Sequence, residues 1–373
     1  MSVEVRGSGG AAEGARGGIV RLDWTRKRVF DEDVAQAFLH TLRTGEGRAC
    51  WTDLLVASVS TSETRRTRPQ AMNTVTMLKL ASSQLGIGPQ QAMRAAEHLY
   101  LSGYLSYPRT ESTAYPSTFD FRGTLNTLRG HPQLGSYAAD LLSGGSTSAR
   151  HGKDEGDHPP ITPVDMPHLS TLSSDEARIF DLVVKHFLAT ISRDARFLVT
   201  KATFVAPSYV SPEGKGEVFV AVGREELDPG FTAVYGRQRA CAEDVEEGEG
   251  EGEDDYGDVL QQLPSQLRPG MQCRIASASL HKGFTSIPGY LTESELISKM
   301  EKNGIGTDAS IPTHINNIIV RNYVTLGPGR TLVPTALGVV LVHGYYRIDV
   351  DLVLPNVRAT IEKFCDMIAK VCH

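Results

Sequence analysis

Two changes of hydrophobic period constrain this chain more than any other feature. IVRLDW (residues 19–24) alternates apolar and polar positions, and Leu55, Ala57 and Val59 alternate with polar residues in WTDLLVASVSTSETRR. Period two marks half-buried strands, with Leu55, Ala57 and Val59 expected on the buried face. From residue 68 to 196 the spacing becomes helical, and strand-like stretches then return in ARFLVTKATFVAP, EVFVAVGREELDPGF and MQCRIASASLHKG. The expected fold is α+β and multidomain: a β-rich module (18–67 and 197–287), entered, left for a helical insertion (68–196), and re-entered.

Local signals punctuate each part. Asp31 or Asp33 caps a helix carrying Val34, Phe38 and Leu42 on one face. Val75, Leu78, Leu80 and Ala81 share a helical face that stops at Gly86; Pro89 opens the next helix, with Ala92, Ala96 and Leu99 spaced for burial and Gly103 as its stop. Residues 173–192 read as a further helix. In the last part (288–373), Thr292 and Glu295 form a capping box, Asp308 or Ser310 starts a second helix through Ile315, Ile318 and Ile319, and YVTLGPGRTLV makes a hairpin. Helix, turn, helix and hairpin describe a winged-helix-like unit, which either meets nucleic acid or serves only in packing.

At 373 residues the chain is long enough for more than one core. No run approaches a membrane span, and the N-terminus lacks the apolar centre of a signal peptide, so the expectation is a soluble intracellular protein without a membrane partner. Cys50, Cys241, Cys273, Cys365 and Cys372 form no CxxC pair, which argues against a disulfide framework or a zinc site. The net charge of −6 is concentrated: EDVEEGEGEGEDDYGD (243–258) holds ten carboxylates and no base, leaving +4 on the remainder. That run reads as a disordered surface insertion, and the Gly/Ala-rich residues 1–17 as disordered too.

The stretch GYLSYPRTEST (103–113) follows a helix terminus, where Pro108 pushes Tyr107 into extended geometry. A tyrosine hydroxyl is a covalent nucleophile, but with a free pKa of about 10 only about one in a thousand is ionised at neutral pH. On an extended segment Tyr107 and Arg109 point to the same side, and a guanidinium there stabilises both a phenolate and an attacked phosphate. Chemistry alone leaves open a half-buried tyrosine whose neighbour Arg109 pairs with Glu111.

GYLSYPRTEST resembles the active-site signature of the type IA DNA topoisomerases. RPQAMNTVTML, GDHPPITP, YLTESELISKMEKNGIGTDASIPTHI and VLVHGYY resemble further blocks of that family in the same order, the wording being most similar to its III-beta branch. The resemblance implies a partial ring-shaped core: a split antiparallel β arch, a helical nucleophile domain and a winged-helix-like base. It implies that Tyr107 attacks a single-stranded DNA phosphodiester and keeps the 5′ phosphate, that Arg109 steadies that phosphate, and that His158 assists cleavage or religation. Thr110 and Glu111 complete the signature, Arg68 and Thr74 contact the strand, and Glu97 neighbours it. The implied activity is ATP-independent strand passage, in the nucleus and perhaps the cytoplasm.

The resemblance also implies Mg²⁺ held by a Toprim domain. Nothing before residue 19 is similar to that domain, so the chain is expected to be a fragment lacking it and the C-terminal end, supplying no metal ligands of its own. Asp349 and Asp351 form a DxD but without a third ligand make a poor Mg²⁺ site. Expected partners are single-stranded DNA or RNA, a Toprim-bearing polypeptide and an accessory protein. Two functions compete: an enzyme core, weak or inactive alone, and a non-catalytic remnant that binds single-stranded DNA or RNA.

Overall fold

The computed structural model describes residues 2–7, 19–44, 53–210, 216–235, 261 and 263–371. The acidic run 243–258 lies outside the described residues, as do Cys50, Cys241, Cys372 and most of 1–17. The chain divides into two compact units. One takes the described parts of Met1–Arg66, Ala195–Pro229 and Glu247–Ser286, the other those of Thr67–Asp194, Gly230–Glu246 and Ile287–His373.

The first unit is a closed antiparallel barrel. Its elements in chain order are β1 (Ser2–Gly7), β2 (Ile19–Trp24), α1 (Glu32–Thr44), β3 (Asp53–Arg66), β4 (Ala195–Val210), β5 (Gly216–Asp228) and β6 (Gln272–Ser279), and the strands run β1-β2-β5-β4-β3-β6 around the barrel. Closure removes exposed strand edges. Val20, Leu22 and Trp24 of β2 point inward as their alternation requires, meeting Leu54, Val56, Phe204, Phe219 and Ile275, with Leu39 and Leu42 of α1 in the same core. Asp31 is the residue at the start of α1 that accepts the Val34 N–H, at 3.1 Å. Glu217, a buried carboxylate in this unit, accepts from Trp24 Nε1 at 2.7 Å and from Arg26 Nη2 at 2.7 Å, so its charge is paired.

Two expectations change here. Ser2–Gly7, within the stretch expected to be disordered, is a strand paired with both β2 and β6; the SVEVRG alternation was hidden by the glycines that follow it. In β3 the buried face carries Leu54 and Val56, while Ala57 is exposed. LLVA is apolar on both faces, so its period does not say which face turns inward. An irregularity in the pairing with β4 between Val56 and Ser58 then leaves Val59 partly buried against the core.

The second unit is mainly helical: α2 (Thr74–Leu85), α3 (Pro89–Leu101), α4 (Phe121–Leu128), α5 (Gly135–Asp140), α6 (Ser174–Thr190), α7 (Thr232–Tyr235), α8 (Glu293–Lys302) and α9 (Ile311–Val320), then β7 (Val324–Leu326), β8 (Leu332–Pro334), α10 (Ala336–Ile348) and α11 (Pro355–Val371). The Asn73 side chain accepts the Thr76 N–H at the start of α2, and Gly86 closes that helix at φ 65°, a conformation costly for any residue with a Cβ. Ser173 with Glu176, and Thr292 with Glu295, form complete capping boxes. At α9 the expected cap differs. Ser310 occupies the N-cap position, but its hydroxyl accepts the Thr307 N–H at 2.8 Å and makes no bond to the donors of the helix, one of which Pro312 lacks. Helix α8 packs on α2, where the fully buried Glu293 accepts from Ser82 Oγ at 3.1 Å and from Arg330 Nη2 at 2.9 Å.

Candidate active site

The site grows from the C-terminal end of α3. Ser102 closes the helix and Gly103 turns the chain at φ 82°, after which residues 104–106 run beside the HPPITP segment. Leu105 bridges Pro163 in antiparallel fashion, Ser106 N–H donates to Thr162 O at 2.9 Å, and Val164 N–H donates to Tyr104 O at 2.9 Å. Ser106 Oγ adds a donation to Pro160 O at 3.0 Å and accepts the Thr162 N–H at 2.8 Å. Extended geometry before Pro108 makes this pairing available, and it brings His158 to Tyr107. The two rings meet edge to face with centroids 4.5 Å apart, and Tyr100 of α3 meets Tyr107 in the same manner at 5.1 Å. Tyr107 is thereby half-buried between two aromatic neighbours, while His158 remains exposed.

Arg109 does not pair with Glu111. Its Nε and Nη2 both donate to Glu97 Oε1, at 2.9 and 2.6 Å, which places Glu97 in the site as the partner of the guanidinium. Thr74 and Thr110 are fully buried. Thr74 N–H donates to Thr110 O at 3.0 Å, Thr110 N–H donates to Thr74 Oγ1 at 2.9 Å, and Thr74 Oγ1 lies 2.7 Å from its acceptor Pro108 O. Thr110 Oγ1 donates to His158 O at 2.6 Å. Side chains so enclosed fix the loop and present no surface to a strand. Arg68 stands apart from this group: its Nη1 donates to Asp194 Oδ1 at 2.7 Å and its Nη2 to Ser148 O at 2.8 Å.

Asp157 and Tyr100 are site residues that sequence reasoning passed over. Asp157 accepts the Glu111 N–H at 2.7 Å and Ser112 Oγ at 2.6 Å, stapling the far side of the loop. Partial burial alone would raise its pKa, but these bonds and others from the local backbone outweigh that and hold it below the usual aspartate value. Glu111 is pushed the other way, first by loss of solvent around its carboxyl and then by the negative charges of Asp308, Asp157 and Glu155. Asp157 sits one residue before His158 in the GDHPPITP block, and Tyr100 one helical turn after Glu97; adjacency was the available signal for both.

These carboxylates do not make a metal centre. Among the described residues no group of three or more His, Cys, Asp or Glu could hold an ion. Both Asp157 oxygens are taken by the loop, and Asp349 accepts the Asp351 N–H at 3.0 Å within a single turn. The described residues therefore do not fit Mg²⁺.

The fold resembles that of full-length topoisomerase I from Thermotoga maritima, with a TM-score of 0.68 at 18% identity, covering 99% of this chain and 55% of that one. The DNA topoisomerase family model matches residues 3–371, and the chain belongs to that family. Within it, the chain is 43% identical over 349 residues to human DNA topoisomerase 3-beta-1 and 42% identical over 354 residues to DNA topoisomerase 3-beta of Oryza sativa subsp. japonica. Human DNA topoisomerase 3-alpha is 34% identical over 346 residues. These alignments cover 94%, 95% and 92% of this chain but 37%, 37% and 31% of the relatives, so the chain spans about a third of their length.

Proposed function

We propose that this chain is the nucleophile-bearing core of a type IA, III-beta-like DNA topoisomerase, acting on single-stranded DNA. Tyr107 Oη attacks a backbone phosphorus, the P–O3′ bond breaks, and the released 3′ oxygen takes a proton as the phenol loses one. The 5′ phosphate stays on Tyr107 as a phosphotyrosine. Attack by the 3′ hydroxyl reverses the exchange and restores the tyrosine. One phosphodiester replaces another at each step, so the bond energy is conserved and resealing requires no ATP. Between the two events another strand passes.

The observation that carries this reading is the setting of Tyr107: half-buried against His158, two residues from a guanidinium, on a loop stapled from both sides by Thr74 and Asp157. Arg109 steadies the phosphate, since a guanidinium offers several donors to phosphate oxygens. His158 assists proton movement beside the tyrosine. Thr74 and Thr110 act by holding the loop, and Arg68 by contacting strand phosphate from its place near Asp194. In the III-beta-like reading the Mg²⁺ ligands come from Toprim residues outside those described here, and the work is done in the nucleus. Among the described residues no helix is long and apolar enough to cross a membrane.

Covalent trapping tests the reading. The chain is incubated with labelled single-stranded oligonucleotide and Mg²⁺, with and without a separately expressed Toprim domain, then denatured. Label on the protein that vanishes in Tyr107→Phe is the expected result. Oligonucleotide binding with no label in either mixture would instead make the chain a strand-binding remnant; an RNA oligonucleotide run in parallel reads the choice of strand.

A further inference from the structure

We infer that Glu97 and Tyr100, one helical turn apart on α3, are positioning residues that set Arg109 and Tyr107 in register with each other. The inference rests on the reading of Tyr107 as a nucleophile. Residues three apart on a helix lie on one side of it. Glu97 takes both Nε and Nη2 of Arg109 on one carboxylate oxygen, and the Tyr100 ring stands edge to face on Tyr107 with an interplanar angle of 72°. The core-facing side of α3 is a different set, including Ala92, Ala96 and Leu99, all fully buried, whereas Tyr100 is 41% exposed. Burial in the helical core therefore does not account for Tyr100; its packing on Tyr107 does.

The chemistry gives that packing a purpose. In-line attack needs the phenol oxygen aligned on phosphorus at roughly 3–3.5 Å, and misplacement by about 1 Å costs on the order of 100-fold in rate. A half-exposed tyrosine on a loop has several staggered rotamers available. His158 restrains one edge of the ring but is itself on a loop, while Tyr100 stands on a helix anchored in the core. Because the same helix also grips Arg109, the separation between nucleophile and guanidinium is set by α3 rather than by the loop between them.

The test uses the full chain with ¹³C-labelled tyrosine, the Tyr107 signal being assigned through Tyr107→Phe. Three quantities are read: ring order of Tyr107 by ¹³C relaxation, oligonucleotide Kd, and the single-turnover rate of covalent adduct formation with the Toprim domain and Mg²⁺ present. Tyr100→Ala is expected to free the Tyr107 ring and slow adduct formation about 10- to 100-fold while Kd stays within about twofold. Tyr100→Phe, which keeps the ring, restores both. Glu97→Ala slows the adduct step to a similar extent with the Tyr107 ring still ordered, and Glu97→Gln, which retains an acceptor, recovers part of the rate. Unchanged ring order and rate in Tyr100→Ala, or a rate loss that merely follows Kd, overturns the inference. If the unmutated chain forms no adduct, the nucleophile reading fails separately. The relaxation data then decide the packing role alone: a Tyr107 ring as ordered in Tyr100→Ala as in the unmutated chain overturns it, and a freed ring sustains it.

Discussion

Thr74 and Thr110 hold each other through a reciprocal pair of hydrogen bonds, Thr74 N–H to Thr110 O at 3.0 Å and Thr110 N–H to Thr74 Oγ1 at 2.9 Å. The first residue of α2 thus anchors the loop that follows α3, and it does so where water has no access. A buried backbone group that loses its partner costs about 1–3 kcal/mol. Thr74→Val keeps the volume and the backbone donor but leaves the Thr110 N–H without its acceptor. The expected result is a loss of that order in urea unfolding of the helical unit, with faster amide exchange at Thr110. Unchanged exchange there would show that the hydroxyl carries no load.

Glu111 should make the loop more stable in acid than at neutrality. Its folded pKa is raised, so its contribution is fully present below the unfolded value, about 4.3, and is lost as pH rises through the folded one. Glu111→Gln removes the charge for good. The variant is expected to melt above the unmutated chain at pH 7, with the gain disappearing below about pH 4. Asp157, held low, has the opposite sign: its contribution is present above about pH 3.9 and lost as pH falls through its folded value.

His131 is a third titrating group, and its geometry explains its sign. Its Nδ1 accepts the N–H groups of Gln133 and Leu134 at 3.3 and 3.2 Å, which requires that nitrogen to be unprotonated. Burial lowers its pKa, against the nearby Asp181 and with the nearby Lys185. Stability from neutral His131 is present above about pH 6.5 and is lost as pH falls through the lowered folded value. His131→Asn keeps an acceptor at that place and does not titrate, so the difference in Tm between the two proteins should narrow or reverse from pH 7 to pH 5.

Arg330, in the turn between β7 and β8, pairs with the fully buried Glu293 and donates to Gly86 O at 3.2 Å. Removing one member of a buried pair leaves an uncompensated charge, typically at a cost of about 3–5 kcal/mol. Arg330→Met should destabilise the helical unit by that order, and Glu293→Gln with Arg330→Met together should recover most of it. Equal losses in single and double variants, measured by chemical denaturation, would locate the energy elsewhere.

The sequence by itself determined the elements whose signals are local. The Thr292–Glu295 capping box, the Gly86 stop, the Pro89 start and the β2 alternation stand in the structure as expected, because each depends on residues within about one turn or a few strand positions. The YPRT stretch and HPPITP stood out through the family resemblance, since chemistry alone left the role of Tyr107 open. Only the tertiary structure decided which partner Arg109 takes, since Glu97 twelve residues back and Glu111 two residues on are equally good carboxylates in sequence. It also decided that Thr74 and Thr110 face inward, that Asp157 staples the loop from 46 residues beyond Glu111, and that β3 buries Leu54 and Val56. The reason is physical: hydrophobic period and capping specify a helix or a strand, whereas the side of it that is desolvated, and the distant groups it meets there, are fixed only when the elements pack.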